Sequence, residues 1–278
     1  MKKIAIYGLG TVILGAAVGW VLTAPRQIAP EVLAGIVPDL DRGAYVYTAG
    51  GCASCHAGED GNGDTLSGGM AFETAFGTFY APNISPDPTH GIGEWNETDL
   101  ANAMLHGTSP DGEHYYPAFP YTSFAKMDPA DVISLHAYMM TLPASQTPNK
   151  PHDVGFPFNI RRTLGGWKLL YGSSAGDWVV TDPNMTPEDL KGRYLVEALA
   201  HCGECHTPRT ALGGMDTSNW LAGAPNPSGK GMIPNITPGT LTWSLEDIAY
   251  YLESGFTPEF DSAGGHMAPR IVRRSRSI

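Results

Sequence analysis

The chain has 278 residues, 42% of them hydrophobic, enough to bury one or two ordinary cores. Lys and Arg number 17 against 28 Asp and Glu, a net charge of −11 that argues against a nucleic-acid partner. Glycine (34) and proline (23) make up more than a fifth of the chain, so helices should be short and loops long.

The chain opens with Lys2 and Lys3, followed by "IAIYGLGTVILGAAVGWVLTA", residues 4–24, without a charge. As a helix rising about 1.5 Å per residue, this run spans roughly 30 Å, the hydrocarbon core of a bilayer. It is longer than the roughly 7–15 apolar residues of a secretory signal. Leu22 is too large for a small-residue cleavage site, and Pro25 follows directly. Residues 1–25 therefore read as an uncleaved N-terminal transmembrane anchor rather than a removed signal. The two lysines stay in the cytoplasm and the rest of the chain lies across the membrane.

Beyond the anchor, the four cysteines fall into two copies of one pattern: "GGCASCHAGE" (50–59) and "HCGECHTPR" (201–209). C-x-x-C-H is the attachment signature of haem c. Two thiols at this spacing reach the two vinyl groups on one porphyrin edge, and the adjacent imidazole turns under the ring to bind iron. A redox C-x-x-C needs no histidine there, and zinc needs ligands converging on one tetrahedral centre. Cys52, Cys55, Cys202 and Cys205 are thus expected to hold two covalent haem c groups, with His56 and His206 as axial iron ligands.

The duplication extends past the cysteines. "RGAYVYTAGGC" and "KGRYLVEALAHC" each read as a short helix delivering the chain to a motif. "APNISP" (81–86) pairs with "IPNITP" (233–238), and Trp95 with Trp243. Asp99 and Asp247 begin helix patterns that Gly107 and Gly255 end. Asn83 and Asn235 match the N-glycosylation pattern, but their equivalent places in the repeats favour a turn near the haem edge. The units are residues 41–142 and 188–278. Between them, 143–187 carries prolines at 143, 148, 151 and 157 and reads as a linker. Its one ordered piece, "NIRRTLGGWKLL", is expected to pack between the units rather than lie on a membrane surface.

A thioether on the far side of each iron would raise its potential and close it to substrate. Met267 stands twelve residues past Gly255; the equivalent position past Gly107 is Phe119, which cannot bind iron. Either Met127 ("FAKMDPADV", before a helix over about 129–141) reaches the first iron, or that iron lacks a sixth protein ligand; Met127 is the expected ligand. Met70 would need a sharp chain reversal. His106 and His114 read as surface histidines, and Met104, Met139 and Met140 as core.

The stretches "GGCASCH…GTFYAPNISPDP…GIGEW…DGEHYYPAFPY" and "HCGECHTPR…PNITP" resemble the bacterial di-haem cytochrome c family, which is related to the cytochrome c subunits of membrane-bound alcohol and aldehyde dehydrogenases. The likeness covers about residues 40–267. It implies an all-α fold of two tandem class I cytochrome c-like domains with long loops, in the periplasm and anchored to the inner membrane. It further implies a respiratory-chain role, carrying electrons from a dehydrogenase toward a quinone pool or terminal oxidase. Related dehydrogenase subunits usually hold three haems and a methionine where this chain has Phe119.

The first unit ends in "DPADVISLHAYMMTLP", a closing helix, whereas the second runs into "APRIVRRSRSI"; its closing helix is expected to be missing and its apolar face open. "GEDGNGD" (58–64) has calcium-like acidic spacing but no following glutamate at loop spacing, so it reads as a solvated turn. The alternative to an electron carrier is a di-haem peroxidase-like or thiosulfate-oxidising enzyme with one open haem. Phe119 favours it; the absence of an acid–base constellation near either motif does not.

Overall fold

The computed structural model describes residues 2–58, 65–172, 176–227, 229, 231–265, 267–268 and 271. Most of the acidic run 58–64 and most of the basic tail 269–278, on which two of the expectations above rest, lie outside the described residues.

Helix α1 covers Lys2–Leu22, most of the expected anchor. Among the described residues, however, no helix is long and apolar enough to cross a membrane. The foot of α1 is clasped by the rest of the protein. The Arg162 guanidinium lies 4.3 Å above the Trp20 ring and donates to the carbonyls of Trp20 and Thr23. Nε2 of His114 lies 3.0 Å from the same Thr23 oxygen. A Cβ on Gly165 would come within 2.2 Å of that oxygen, so only glycine lets the two segments approach this closely.

After a single turn, α2 (Pro30–Leu33), the first repeat begins with α3, Leu40–Gly50. Asp39 caps it by accepting from the Arg42 amide, and Gly51 ends it in the left-handed conformation at φ 65°. The motif helix α4 is Cys52–His56. A hairpin follows, β1 (Ala71–Thr74) antiparallel to β2 (Gly77–Tyr80). Helix α5, Glu97–His106, starts in a full capping box between Asn96 and Asp99, two residues before the expected start at Asp99, and stops at left-handed Gly107, as the sequence predicts. A short α6 (Tyr121–Phe124) leads to the closing helix α7, Pro129–Met139.

Helices α3 and α7 form the backbone of this core. A Cβ on Gly43 would lie 2.1 Å from the Ser134 carbonyl oxygen, so the two helices cross almost backbone to backbone. Val46, Leu66, Ala101, Val132, Ile133 and Leu135 are all at most 2% exposed around this crossing and α5.

The linker segment is a 3₁₀ turn, Arg161–Thr163, running into α8, Leu164–Tyr171. As expected, α8 packs between the repeats. Lys168 donates to the carbonyls of His106 and Gly107 at 2.7 Å each, while the Trp167 indole donates to Leu212 O at 2.9 Å. The second lead-in is α9 (Pro187–Arg193) continued by a π-helical turn, Tyr194–Leu199, and the second motif helix α10 is Gly203–His206. A two-residue ladder joins β3 (Ala224–Pro225) to β4 (Met232–Ile233). Helix α11, Leu245–Ser254, repeats the capping box with Ser244 and Asp247 and the left-handed glycine stop at Gly255. None of its residues is buried.

Two expectations need correction. The fold is mostly helical but not all-α, because each repeat carries a small antiparallel hairpin between its motif and its capped helix. His114 is not a surface histidine: it is 2% exposed, wedged between α1 and Arg162.

Candidate haem-attachment sites

Each motif forms about one helical turn: Cys52, Cys55 and His56 lie within α4, while Cys202 caps α10, which holds Cys205 and His206. No disulfide joins Cys52, Cys55, Cys202 or Cys205. Among the described residues no three His, Cys, Asp or Glu side chains converge as a group that could hold a metal ion.

The histidines carry the most specific geometry. Nδ1 of His56 lies 2.8 Å from the Pro82 carbonyl, 26 residues on; Nδ1 of His206 lies 2.8 Å from the Pro234 carbonyl, 28 residues on. A carbonyl can only accept, so each Nδ1 carries the proton and each Nε2 keeps its lone pair. That is the tautomer and orientation an iron ligand needs, with the second ring nitrogen held by an outer partner. Burial pushes both imidazoles below their ordinary pKa, opposed by the hydrogen bonds to Pro82 and Pro234, so both stay neutral and able to ligate.

The loops that present these carbonyls are built by Asn83 and Asn235. Asn83 is 2% exposed; its amide donates to Ser145 O at 2.8 Å and Thr147 O at 2.9 Å, and its Oδ1 accepts from the Ser85 amide. Oδ1 of Asn235 accepts from the amide and hydroxyl of Thr237 at 2.8 and 2.7 Å. A turn role therefore holds at both positions, and Asn83 leaves no space for a glycan. The sequence pairs these loops but does not reveal that the proline carbonyl orients the histidine. The recurrence of proline at a nearly constant distance past each histidine is the signal that could have shown it.

The remaining candidates are placed less symmetrically. Met127 is 5% exposed in the core it shares with Val46, Ala49, Phe124, Val132 and Leu199, and Phe119 packs against the same cluster. Met267 is half-buried, its amide bonded to Gly264 O at 3.2 Å. In the second motif, Gly203 is required by packing: a Cβ there would meet the Trp220 ring at 2.1 Å. A narrow cavity at the foot of α1, lined by Arg26, His114, Tyr121 and Lys168, includes none of the four cysteines.

A duplicated C-x-x-C-H helix backed each time by an imidazole–carbonyl bond defines a c-type cytochrome, and the cytochrome c family profile matches residues 40–143. The chain belongs to the di-haem c-type cytochrome family and holds two covalently bound haem c groups as an electron carrier. It is 54% identical over 281 residues to a diheme cytochrome c-type protein of Cereibacter sphaeroides, covering 100% of this chain and 94% of that relative. It is also 40% identical over 233 residues to the fructose dehydrogenase cytochrome subunit of Gluconobacter japonicus, covering 82% of this chain and 47% of that subunit. With the alcohol dehydrogenase (quinone) cytochrome c subunit of Gluconacetobacter polyoxogenes it shares 36% over 234 residues, 78% of this chain and 49% of that subunit. It thus spans about half the length of these two dehydrogenase subunits.

Proposed function

We propose that Cys52 and Cys55 hold one haem by thioethers, with His56 as its axial ligand, and that Cys202, Cys205 and His206 hold the other. The observation that carries this is the 2.8 Å bond from each histidine Nδ1 to a proline carbonyl, made twice behind the same motif. The haem supplies a one-electron iron couple. The protein's part is to hold each imidazole in one tautomer, to bury it, and to shield the ring with apolar side chains. The units are two tandem cytochrome c domains, residues 41–142 and 188–278, joined by the linker 143–187. Met127 and Met267 supply the sixth ligands.

The chain accepts electrons from a dehydrogenase and passes them toward a quinone pool or terminal oxidase in a periplasmic respiratory chain. Support comes from the dehydrogenase subunits among its relatives. The N-terminal run 4–24 serves as an inner-membrane anchor; what supports this is its freedom from charge over 21 residues and the exposure of Ile13, Leu14, Val18, Trp20 and Val21.

The test is native mass spectrometry of the holoprotein. Cys52→Ala and Cys202→Ala should each weaken attachment at one motif only; a wild-type mass with fewer than two haems overturns the reading. Fractionation tests the anchor, and recovery of a soluble form beginning near Pro25 overturns it.

A further inference from the structure

We propose that Glu204 is a positioning residue that locks the second haem motif against the first repeat, and that the face it registers is the direct electron route between the two haems. The inference rests on the haem assignment above. Glu204 lies between Cys202 and Cys205, within the strip of chain that grips the porphyrin edge. Its side chain is 10% exposed. Oε1 accepts from the Ser123 hydroxyl at 2.8 Å and the Thr122 hydroxyl at 3.3 Å, both on α6 of the first repeat. Arg209 holds the other side, donating to Oε2 at 2.5 Å and to the Glu204 carbonyl at 2.7 Å. A carboxylate taken this far out of water is costly unless so paired. Ser54, the equivalent residue of the first motif, bonds to Gly51 O and contacts Cys55 Sγ, both inside its own turn. The motif chemistry is common to both repeats; the cross-repeat carboxylate is not, so its role is the interface.

Three further contacts lie along that interface. The His201 ring, next to Cys202, meets the Phe124 ring edge-on at 5.3 Å and 85°. Phe124 packs on Phe119 at 5.7 Å, in the ligand loop of the first repeat. His201 holds a left-handed φ of 43°, a conformation that a non-glycine residue keeps only when its surroundings impose it. On the other side, a Cβ on Gly50 would lie 3.8 Å from both the Leu199 carbonyl and the Cys52 sulfur. The segments entering the two motifs therefore run side by side. One electron crosses here, one iron passing from ferrous to ferric as the other passes from ferric to ferrous. No bond is made or broken and no proton is needed.

The experiment uses the full-length holoprotein with both haems verified by mass. A flash-excited ruthenium complex injects one electron, and transient absorption follows the concentration-independent phase in which the haems equilibrate. Glu204→Ala should slow that phase by an order of magnitude, whereas Glu204→Gln, which still accepts from Ser123, should keep most of the wild-type rate. Phe124→Leu leaves the carboxylate network intact, opens the ring contact and should slow the phase several-fold; it decides the matter if Glu204→Ala fails to fold. Wild-type rates in these variants, or no concentration-independent phase in the wild type, overturn the proposal. A missing haem in the wild type instead overturns the haem assignment.

Discussion

Replacing Gly43 by alanine tests the α3–α7 crossing through the sign of its effect. In a helix with open space around it, Gly→Ala stabilises by roughly 0.5–1 kcal/mol, because glycine loses more backbone freedom on folding. At position 43 the new Cβ would stand 2.1 Å from the Ser134 carbonyl oxygen, 2.8 Å from its carbon and 2.8 Å from the Tyr138 Cβ. Two of these atoms are backbone, so no rotamer change relieves the contact. Reaching ordinary van der Waals separation needs the helices to part by more than 1 Å, loosening the packing of Val46, Val132 and Leu135. Overpacking of this kind costs about 1–3 kcal/mol and more where backbone must move. We expect a net loss of about 2–3 kcal/mol, the propensity gain already counted. The control is Gly192→Ala in α9, where a Cβ meets nothing within 4 Å and stability should rise by up to about 1 kcal/mol. Urea unfolding of the holoprotein, followed by far-UV circular dichroism, reads both. If Gly43→Ala matches or exceeds the wild type, the helices do not cross at this distance.

Met127→Ala should open the first iron to carbon monoxide and lower its potential, and should also cost about 2–5 kcal/mol as a core truncation; an unchanged carbon monoxide titration makes Met127 a packing residue only. His114 and His152 both sit below their ordinary pKa, first through burial and then through Lys168 near His114 and Arg161 near His152. Their folded values lie below the unfolded value of about 6.5, so the stability they contribute is present above that pH and is lost as pH falls through it. The urea midpoint should therefore drop between pH 7.5 and 5.5, and less so in His114→Gln; a flat or rising midpoint contradicts the sign. Asn83→Ala removes the side-chain partner of the Thr147 carbonyl and the Ser85 amide and leaves the Ser145 carbonyl only its 3.4 Å bond from the Ser85 hydroxyl. A loss of about 2–4 kcal/mol in thermal or urea unfolding is expected, and one under 0.5 kcal/mol would show that the loop is held otherwise.

Chemistry written in short range was legible from residue order. The C-x-x-C-H turns, the two helices read as beginning at Asp99 and Asp247, which in the fold start two residues earlier at Glu97 and Leu245, and the glycine stops at 107 and 255 are each fixed by neighbours within a few positions. The two hairpins were missed because their strands are two to four residues long, too short for an alternating pattern to register. His114 was misplaced for a different reason: its burial comes from Thr23 and Arg162, 91 and 48 residues away, and nothing local announces them. The same holds for Pro82 and Glu204. The sequence shows that both are present, but only the fold shows what each one faces.

Ala198 and Leu199 are fully buried, and the core they complete belongs to the first repeat. A segment that finishes another unit's interior cannot settle before that unit exists. The chain is made from its N-terminus at about 5–20 residues per second, so Cys202, 150 positions after Cys52, follows it by roughly 8–30 s of synthesis. During that interval the first repeat can collapse and present the surface on which the lead-in to Cys202 comes to rest. Folding is thereby given an order: the lead-in to Cys202 settles on a surface made earlier, and the first repeat's core is finished only when that lead-in arrives. A protein excised to residues 188–278 would lack not a partner but its template.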